Sequence, residues 1–354
     1  MTPPLGIIEG FFGRPWSWAE RAATVRFLRP HGYGFYLYAP KADPYLRRRW
    51  QEPHPAAEME KLAEFRDVCR AQGVRFGIGL SPFELHLHPG RGWQEALAVR
   101  LAQLAVLKPD DLALLFDDMR GDVPDLAERQ AAIVHFAAER GVAERVQACP
   151  SYYSDDPILD VAFGQRPAFY LEQLGRQLDP AVQLFWTGAE VCAQEFTPGH
   201  LARVASQMGR KPVLWDNYPV NDGARMSQHL HLRGFSGRPA SIAPHIAAHG
   251  VNPASQPLLS RIPLLTLAES YAKGEAYDYL AAFERAAREV CGEELAARIG
   301  KDILTLQDRG LDRLGDRKAA LKARYAAFDH PAAREISLWL DGWWAVTDEL
   351  VQTQ

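Results

Sequence analysis

Leu112-Ala113-Leu114-Leu115-Phe116-Asp117-Asp118 is an apolar run of strand length that stops at two adjacent carboxylates. A run of four to eight apolar residues reads as a buried strand, although pattern alone does not separate it from a short buried helix. Two acids at its end are too costly to bury unpaired. They belong at the mouth of something, so the question is whether other strands end there too.

Working outward, strand-like runs alternate with amphipathic ones. Leu5–Glu9, Gly34–Tyr38, Val74–Leu80 and the opening stretch are the first four strands. Val146–Cys149, Val182–Trp186, Val213–Trp215 and the less regular Ile246–Val251 complete eight. Between them lie helical patterns at Ser17 to Leu28, Pro55 to Gln72, Trp93 to Leu107, Asp125 to Arg140, Tyr170 to Leu178 and His200 to Met208, with Leu258 to Tyr271 last. Ser17 with Glu20 three residues later is a capping-box signature. The alternation argues for a parallel sheet with helical crossovers, and eight repeats over about 270 residues have the length of a (β/α)8 TIM barrel. An open doubly wound sheet is the competing architecture, but neither GxGxxG nor GxxxxGK(S/T) follows a strand.

After Tyr271 the strand signal ends. Tyr277–Cys291, Glu293–Leu311, Arg317–Phe328 and Pro331–Val351 are helical in pattern. The expected organisation is therefore a barrel over residues 1–271 and a small C-terminal helical domain over 272–354. Trp339, Trp343 and Trp344 are expected to anchor the helices to the barrel.

The chain has 354 residues, 47% of them hydrophobic, and a formal net charge of −4. This balance lacks the basic stripe of a nucleic-acid surface. No apolar run reaches the roughly 18 residues of a membrane span. Cys69, Cys149, Cys192 and Cys291 stand far apart without a CxxC pair, which favours a reducing compartment over disulfides or zinc. The N-terminal residues lack a basic segment followed by an apolar core, so a cytoplasmic location is expected. The pairs His86/His88 and His229/His231 have no third ligand at a telling spacing, and no metal is expected.

In a parallel barrel the loops after the strands build the active site. Those positions carry Glu9 and Gly10, Lys41, Asp117 and Asp118, Tyr152 and Tyr153, Trp215, Asn217 and Asp222, and Asn252. Carboxylates, amides, one ammonium and aromatics suit a neutral polyhydroxylated ligand. A phosphate would want several arginines or a glycine-rich nest. Two close carboxylates separate their titrations, so one is expected to stay ionised while the other keeps a proton near neutral pH. The bland alternatives are a helix N-terminus or surface salt bridges for the acids, and pairing of Lys41 with Glu9 or Asp43. Trp215 could equally be barrel core, and Asn252 a helix cap.

The segments GIIEGFFGRPWS, YLYAPKADPYLRRRW, LALLFDD, CPSYY, LFWTG, PVLWDNYPVND and GVNP follow one another in the order found in family 84 of the glycoside hydrolases. The chain resembles that family of O-GlcNAcases and related β-N-acetylglucosaminidases over roughly residues 5 to 270. The resemblance implies an exo-acting, retaining enzyme without a cofactor, whose substrate supplies its own nucleophile. The 2-acetamido oxygen attacks the anomeric carbon to give an oxazoline. Asp117 then matches the residue that orients the acetamido N–H, Asp118 the general acid and base, and Tyr153 the tyrosine on the acetamido oxygen. Trp215 and Asn217 match the acetamido pocket, and Gly10, Lys41, Asp222 and Asn252 the sugar contacts. The implied partner is a β-GlcNAc glycoside or GlcNAc-modified protein, and a homo-oligomer is compatible with it. Phe12, Ala42, Leu46 and the Gly223-Ala224 step depart from the family pattern, which puts recognition of the leaving group in doubt. A GlcNAc-binding or scaffolding barrel without catalysis is the alternative. A third reading makes Asp117 and Asp118 ligands of a magnesium ion.

Overall fold

The computed structural model describes residues 2–88 and 90–354. Eight parallel strands close on themselves in sequence order. They are β1 (Leu5–Glu9), β2 (Tyr33–Tyr38), β3 (Arg75–Leu80), β4 (Asp111–Leu115), β5 (Arg145–Cys149), β6 (Gln183–Trp186), β7 (Val213–Asp216) and β8 (Ala248–Val251). Pairing of Ile7 with Tyr36 on one side of β1 and of Gly6 with Gly250 on the other completes the circuit. The (β/α)8 barrel is thus the fold, and the open sheet is excluded.

The crossovers are α1 (Trp18–Leu28), α2 (Ala56–Ala71), α3 (Trp93–Ala105), α4 (Leu126–Ala138), α5 (Ile158–Phe163) and α6 (Tyr170–Gln177), α7 (Pro198–Met208) and, after β8, α8 (Arg261–Lys273). Ser17 caps α1 as its spacing predicts: the Ser17 side chain accepts from Glu20 N, and the Glu20 carboxylate accepts from Ser17 N at 2.6 Å. The short helix α5 has no sequence-level forecast. Its six residues are too few for a periodic signal.

Aromatic residues fill the space between sheet and helices. Phe65 of α2 meets Tyr36 and Phe76 edge-on at 4.9 and 5.9 Å. Such contacts add to the burial of large apolar surface.

The C-terminal helices are α9 (Tyr279–Cys291), α10 (Glu293–Ile303), α11 (Arg317–Ala326), α12 (Pro331–Leu340) and α13 (Asp348–Thr353). Helix α9 packs on α8, α10 on α9, and α11 on α12. Two expectations need correction. The helix expected to reach Leu311 leaves α geometry after Ile303, widens into a π turn over Leu304–Arg309 and stops at Gly310, whose φ is 89°. The helix expected over Pro331–Val351 is two helices, broken after Leu340 where Gly342 takes a φ of 78°. A left-handed residue ends a helix, and glycine reaches that region without a Cβ clash.

Trp339 is buried and donates its Nε1–H to the Ser227 carbonyl in the loop after β7, and Trp344 is buried as well. Trp343 is half exposed, with the Arg14 guanidinium 3.9 Å over its ring. The segment between α12 and α13 thus lies against the loops at the C-terminal face of the barrel. Among the described residues no helix is long and apolar enough to cross a membrane.

Candidate active site

Strand β4 ends at Leu115, and Phe116 still pairs with β5 through its N–H to the Cys149 carbonyl at 3.0 Å. Asp117 follows, and then Asp118 in a left-handed conformation with φ of 56°. Successive residues of an extended chain point to opposite faces. The left-handed step turns the backbone so that both carboxylates meet one ammonium. Lys41 donates to Asp117 Oδ2 and lies 3.1 Å from Asp118 Oδ2.

Lys41 therefore pairs with neither Glu9 nor Asp43. The Glu9 carboxylate, fully buried, is held at 2.8 Å by both Nε and Nη2 of Arg21 and accepts from the Tyr36 hydroxyl at 2.6 Å. Asp43 accepts from His54 Nε2 at 2.9 Å and from the Tyr38 hydroxyl at 3.1 Å. Tyr152 also leaves the candidate set, because its hydroxyl donates to the Gly164 carbonyl at 2.6 Å. Tyr153 points into the site and donates to Asp118 Oδ1 at 2.9 Å.

A chain of amide contacts joins the remaining strand ends. Asn217 Nδ2 donates to the Val191 carbonyl at 2.9 Å, Asn252 Nδ2 to Asn217 Oδ1 at 3.0 Å, and Gly10 N to Asn252 Oδ1 at 3.3 Å. Asp222 Oδ2 accepts from Phe12 N at 2.8 Å. The Trp215 ring packs over Gly10 so closely that a Cβ there would lie 2.2 Å from Cζ2. Gly10 is thus a close approach of backbone to indole, which only glycine permits.

These residues enclose one cavity of about 240 Å³. Gly10, Lys41, Asp117, Asp118, Tyr153, Trp215, Asn217, Asp222 and Asn252 all line it, so the structure brings the nine sequence-derived site residues together. The volume fits one sugar ring rather than an oligosaccharide. Its wall also contains Phe12, Cys192 and Val351, which sequence reasoning did not assign to the site. Cys192 follows the LFWTG segment by only a few residues and could have been found there. Val351 comes from α13, more than a hundred residues after Asp222, and no sequence signal connects it to the barrel mouth.

Electrostatics correct one expectation. Desolvation acts against the Asp118 anion, but Lys41 and Arg47 more than offset it, with the Tyr153 hydrogen bond adding to them, and hold that carboxyl below its usual range. In the unliganded site Asp118 does not keep a proton near neutral pH, because the acids share a cation. The raised carboxyl is Asp222, pushed up to about 6 chiefly by burial, with the Asp118 charge adding to it. One acceptor is left over. Asp117 Oδ1 is buried and has no hydrogen-bond partner among the described residues. Buried polar atoms in that state are uncommon and mark strain or function.

The histidine pairs lie apart from this cavity. His86 bonds to the Arg120 carbonyl at 2.7 Å, His229 to the Gln307 carbonyl at 2.7 Å and His231 to the Val220 carbonyl at 2.9 Å. No group of three or more His, Cys, Asp or Glu with metal-binding geometry occurs among the described residues.

The beta-N-acetylglucosaminidase family model matches residues 5–301. The protein O-GlcNAcases of Rattus norvegicus and Mus musculus are each 28% identical over 275 residues, 75% of this chain. The chain spans about 30% of the length of those relatives. An O-GlcNAc hydrolase of Thermobaculum terrenum, solved as an aspartate-to-asparagine mutant, superposes with a TM-score of 0.80 at 25% identity, covering 97% of this chain and 81% of that one. The barrel, the nine clustered residues and the match over most of the sequence agree: the chain belongs to the beta-N-acetylglucosaminidase family, family 84 of the glycoside hydrolases.

Proposed function

We propose that the chain is a retaining exo-β-N-acetylglucosaminidase that removes terminal β-linked GlcNAc by substrate-assisted catalysis, without a cofactor. The observation that carries this reading is the unpartnered Asp117 Oδ1 on the wall of a sugar-sized cavity, next to a more accessible Asp118. An acceptor with no donor is what an acetamido N–H needs. In this reading the acetamido group rather than a carboxylate is the nucleophile: Asp117 is tied to Lys41 through Oδ2, and Asp222 accepts from Phe12 N.

In this mechanism the 2-acetamido carbonyl oxygen forms a bond to the anomeric carbon as the glycosidic bond breaks. The leaving oxygen takes the proton of Asp118. Asp117 stabilises the positive N–H of the oxazolinium-like species. Water then adds to the anomeric carbon, gives its proton to Asp118, and the acetamide reopens. Asp118 is ionised in the free site, and its side chain is 24% exposed. A sugar ring in the cavity removes the water in front of it, and desolvation favours the protonated acid. Trp215 and Asn217 would border the acetamido group, with Gly10, Lys41, Asp222 and Asn252 on the hydroxyls. The proposed substrate class is a GlcNAc-modified protein or another β-GlcNAc glycoside. All four cysteines are free, which fits the reducing interior of a cell.

The test is hydrolysis of an aryl β-GlcNAc beside its glucosamine, GalNAc and glucose analogues. Release of the phenol from the N-acetylated sugars is expected, with the glucoside and glucosaminide inert. Equal turnover of the glucoside overturns the acetamido nucleophile. GlcNAc binding without release of any phenol supports the non-catalytic barrel instead, and activity that is lost in EDTA supports the magnesium reading.

A further inference from the structure

The YLRRRW stretch after β2 has no task in the mechanism above, yet it sends one arginine into the barrel. Arg47 is 3% exposed. Its Nη2 donates to the Asp118 carbonyl at 3.2 Å, while Nε and Nη1 are buried without partners. Among the described residues no carboxylate lies within ion-pair distance of it. Its neighbours are the faces of Phe83 and Phe12, with ring centroids 5.1 and 5.9 Å from its Cζ. A guanidinium buried in this way is costly unless it is paired. Among the described residues its one side-chain hydrogen bond goes to the backbone of the residue held at a φ of 56°. A strained backbone persists only when its surroundings over-determine it.

We propose that Arg47 is a positioning residue for the reaction: it clamps the Asp118 carbonyl, maintains the left-handed turn that aims the Asp118 carboxyl at the cavity, and keeps an unneutralised positive charge beside that carboxyl. The inference rests on the reading of Asp118 as the general acid and base. The groups facing Asp118 come from several strand ends. Lys41 stands after β2, Asp117 precedes Asp118 in the turn after β4, Cys149 ends β5, Tyr153 follows β5 and Asp222 follows β7. Of these only Lys41 carries positive charge, and it is shared between two carboxylates. Arg47 supplies the second positive charge, and both act to hold Asp118 ionised in the free enzyme. That suits the second half of the reaction, in which Asp118 accepts a proton from water.

The test compares Arg47→Met and Arg47→Lys with wild type and with Asp118→Asn. The substrates are two aryl β-GlcNAc glycosides, one with a good and one with a poor leaving group. Loss of the clamp misplaces the carboxyl, and a displacement near 1 Å costs on the order of 10²-fold in rate. Arg47→Met is therefore expected to lower kcat/KM by about that factor on the poor leaving group and by less on the good one. With the positive charge gone Asp118 holds its proton to higher pH, so the descending alkaline limb of kcat/KM moves upward. Arg47→Lys restores the position of the limb but only part of the rate. A purely structural role lowers the melting temperature and affects both substrates alike with the limb unmoved, and that result overturns the proposal. If Arg47→Met does not fold, the lysine variant decides: wild-type rate on the poor leaving group removes the clamp. If Asp118→Asn shows no leaving-group dependence, the reading of the site has failed first; if it does and the Arg47 variants match wild type, only the inference about Arg47 fails.

Discussion

Two buried charge clusters stand at strand ends of the same barrel, and they are built to opposite rules. At the end of β7, Asp216 accepts from Arg238 Nη2 and Nε at 2.7 and 2.9 Å, and from His249 at 3.0 Å. Arg238 spends its remaining donors on the carbonyls of Ala193, Gln194 and Ser236. The His249 ring continues to the Tyr271 hydroxyl at 2.8 Å. After β4, Asp117 keeps one oxygen unpartnered, Lys41 is divided between two acids, and Arg47 makes a single hydrogen bond. The first cluster is closed: every charge has a counter-charge, and it ties β7 and β8 to the long loop between them. The second is open, with acceptor and charge left for a group that the protein itself does not supply. Composition does not separate the two, since each combines aspartate with a basic partner. Satisfaction does.

Substitutions should separate the clusters in opposite directions. The largest effect is expected in the open one. Asp118→Asn should reduce turnover of a β-GlcNAc glycoside with a poor leaving group by about 10²–10⁴-fold, the range of general acid catalysis, with the melting temperature held within a few degrees. Unimpaired turnover in steady-state kinetics would remove Asp118 from its role. In the closed cluster, Asp216→Asn leaves the Arg238 guanidinium buried without its counter-charge. A loss of stability of about 3–5 kcal/mol is expected, to be read by urea unfolding. A loss below 1 kcal/mol would mean that the cluster is not the scaffold it looks to be.

The smallest effect sharpens the contrast through a carboxylate that forms no ion pair among the described residues. Glu335 of α12 accepts from the N–H groups of Leu258 and Leu259 at 2.9 Å each, and burial pushes its carboxyl up to about 7. A folded pKa above the unfolded value near 4.3 means that the native state binds more protons between those two pH values. This site's contribution to stability is therefore full below about pH 4 and falls as pH rises through 7. Thermal melts at pH 5 and pH 8 should show that decline in the native chain and a flatter profile in Glu335→Gln. Equal slopes in the two proteins would discard the linkage.

The contrast also explains how far the residues could be read in advance. Strand ends were legible because apolar runs stop abruptly at Gly10, Asp117, Pro150 and Asp216. In a parallel barrel all such ends share one face, so position gave the candidates, although Glu9 and Tyr152 stand at strand ends and turn away from the cavity. Pairing did not follow. Glu9 and Lys41 both stood at strand ends with an open choice of partner, and only the packing of α1 against β1 assigned Arg21 to Glu9. The break after Leu340 escaped because Gly342 lies within an otherwise helical pattern of apolar residues, where a lone glycine is normally tolerated.

By itself the sequence determined the alternation of strands and helices, the eight repeats expected of a parallel barrel, and the strand ends that share its mouth. Each of these depends on local periodicity or on the chain order of strand ends, and the resemblance to family 84 singled out nine residues among them. Tertiary structure alone decided which charges neutralise one another, that Asp118 turns through a left-handed step under Arg47, and that Val351 of the last helix forms part of the cavity wall. The physical reason is range. Hydrophobic pattern is written within a dozen neighbouring residues, whereas the balance of charge in a buried site depends on groups far apart in the chain that meet only after the barrel has closed.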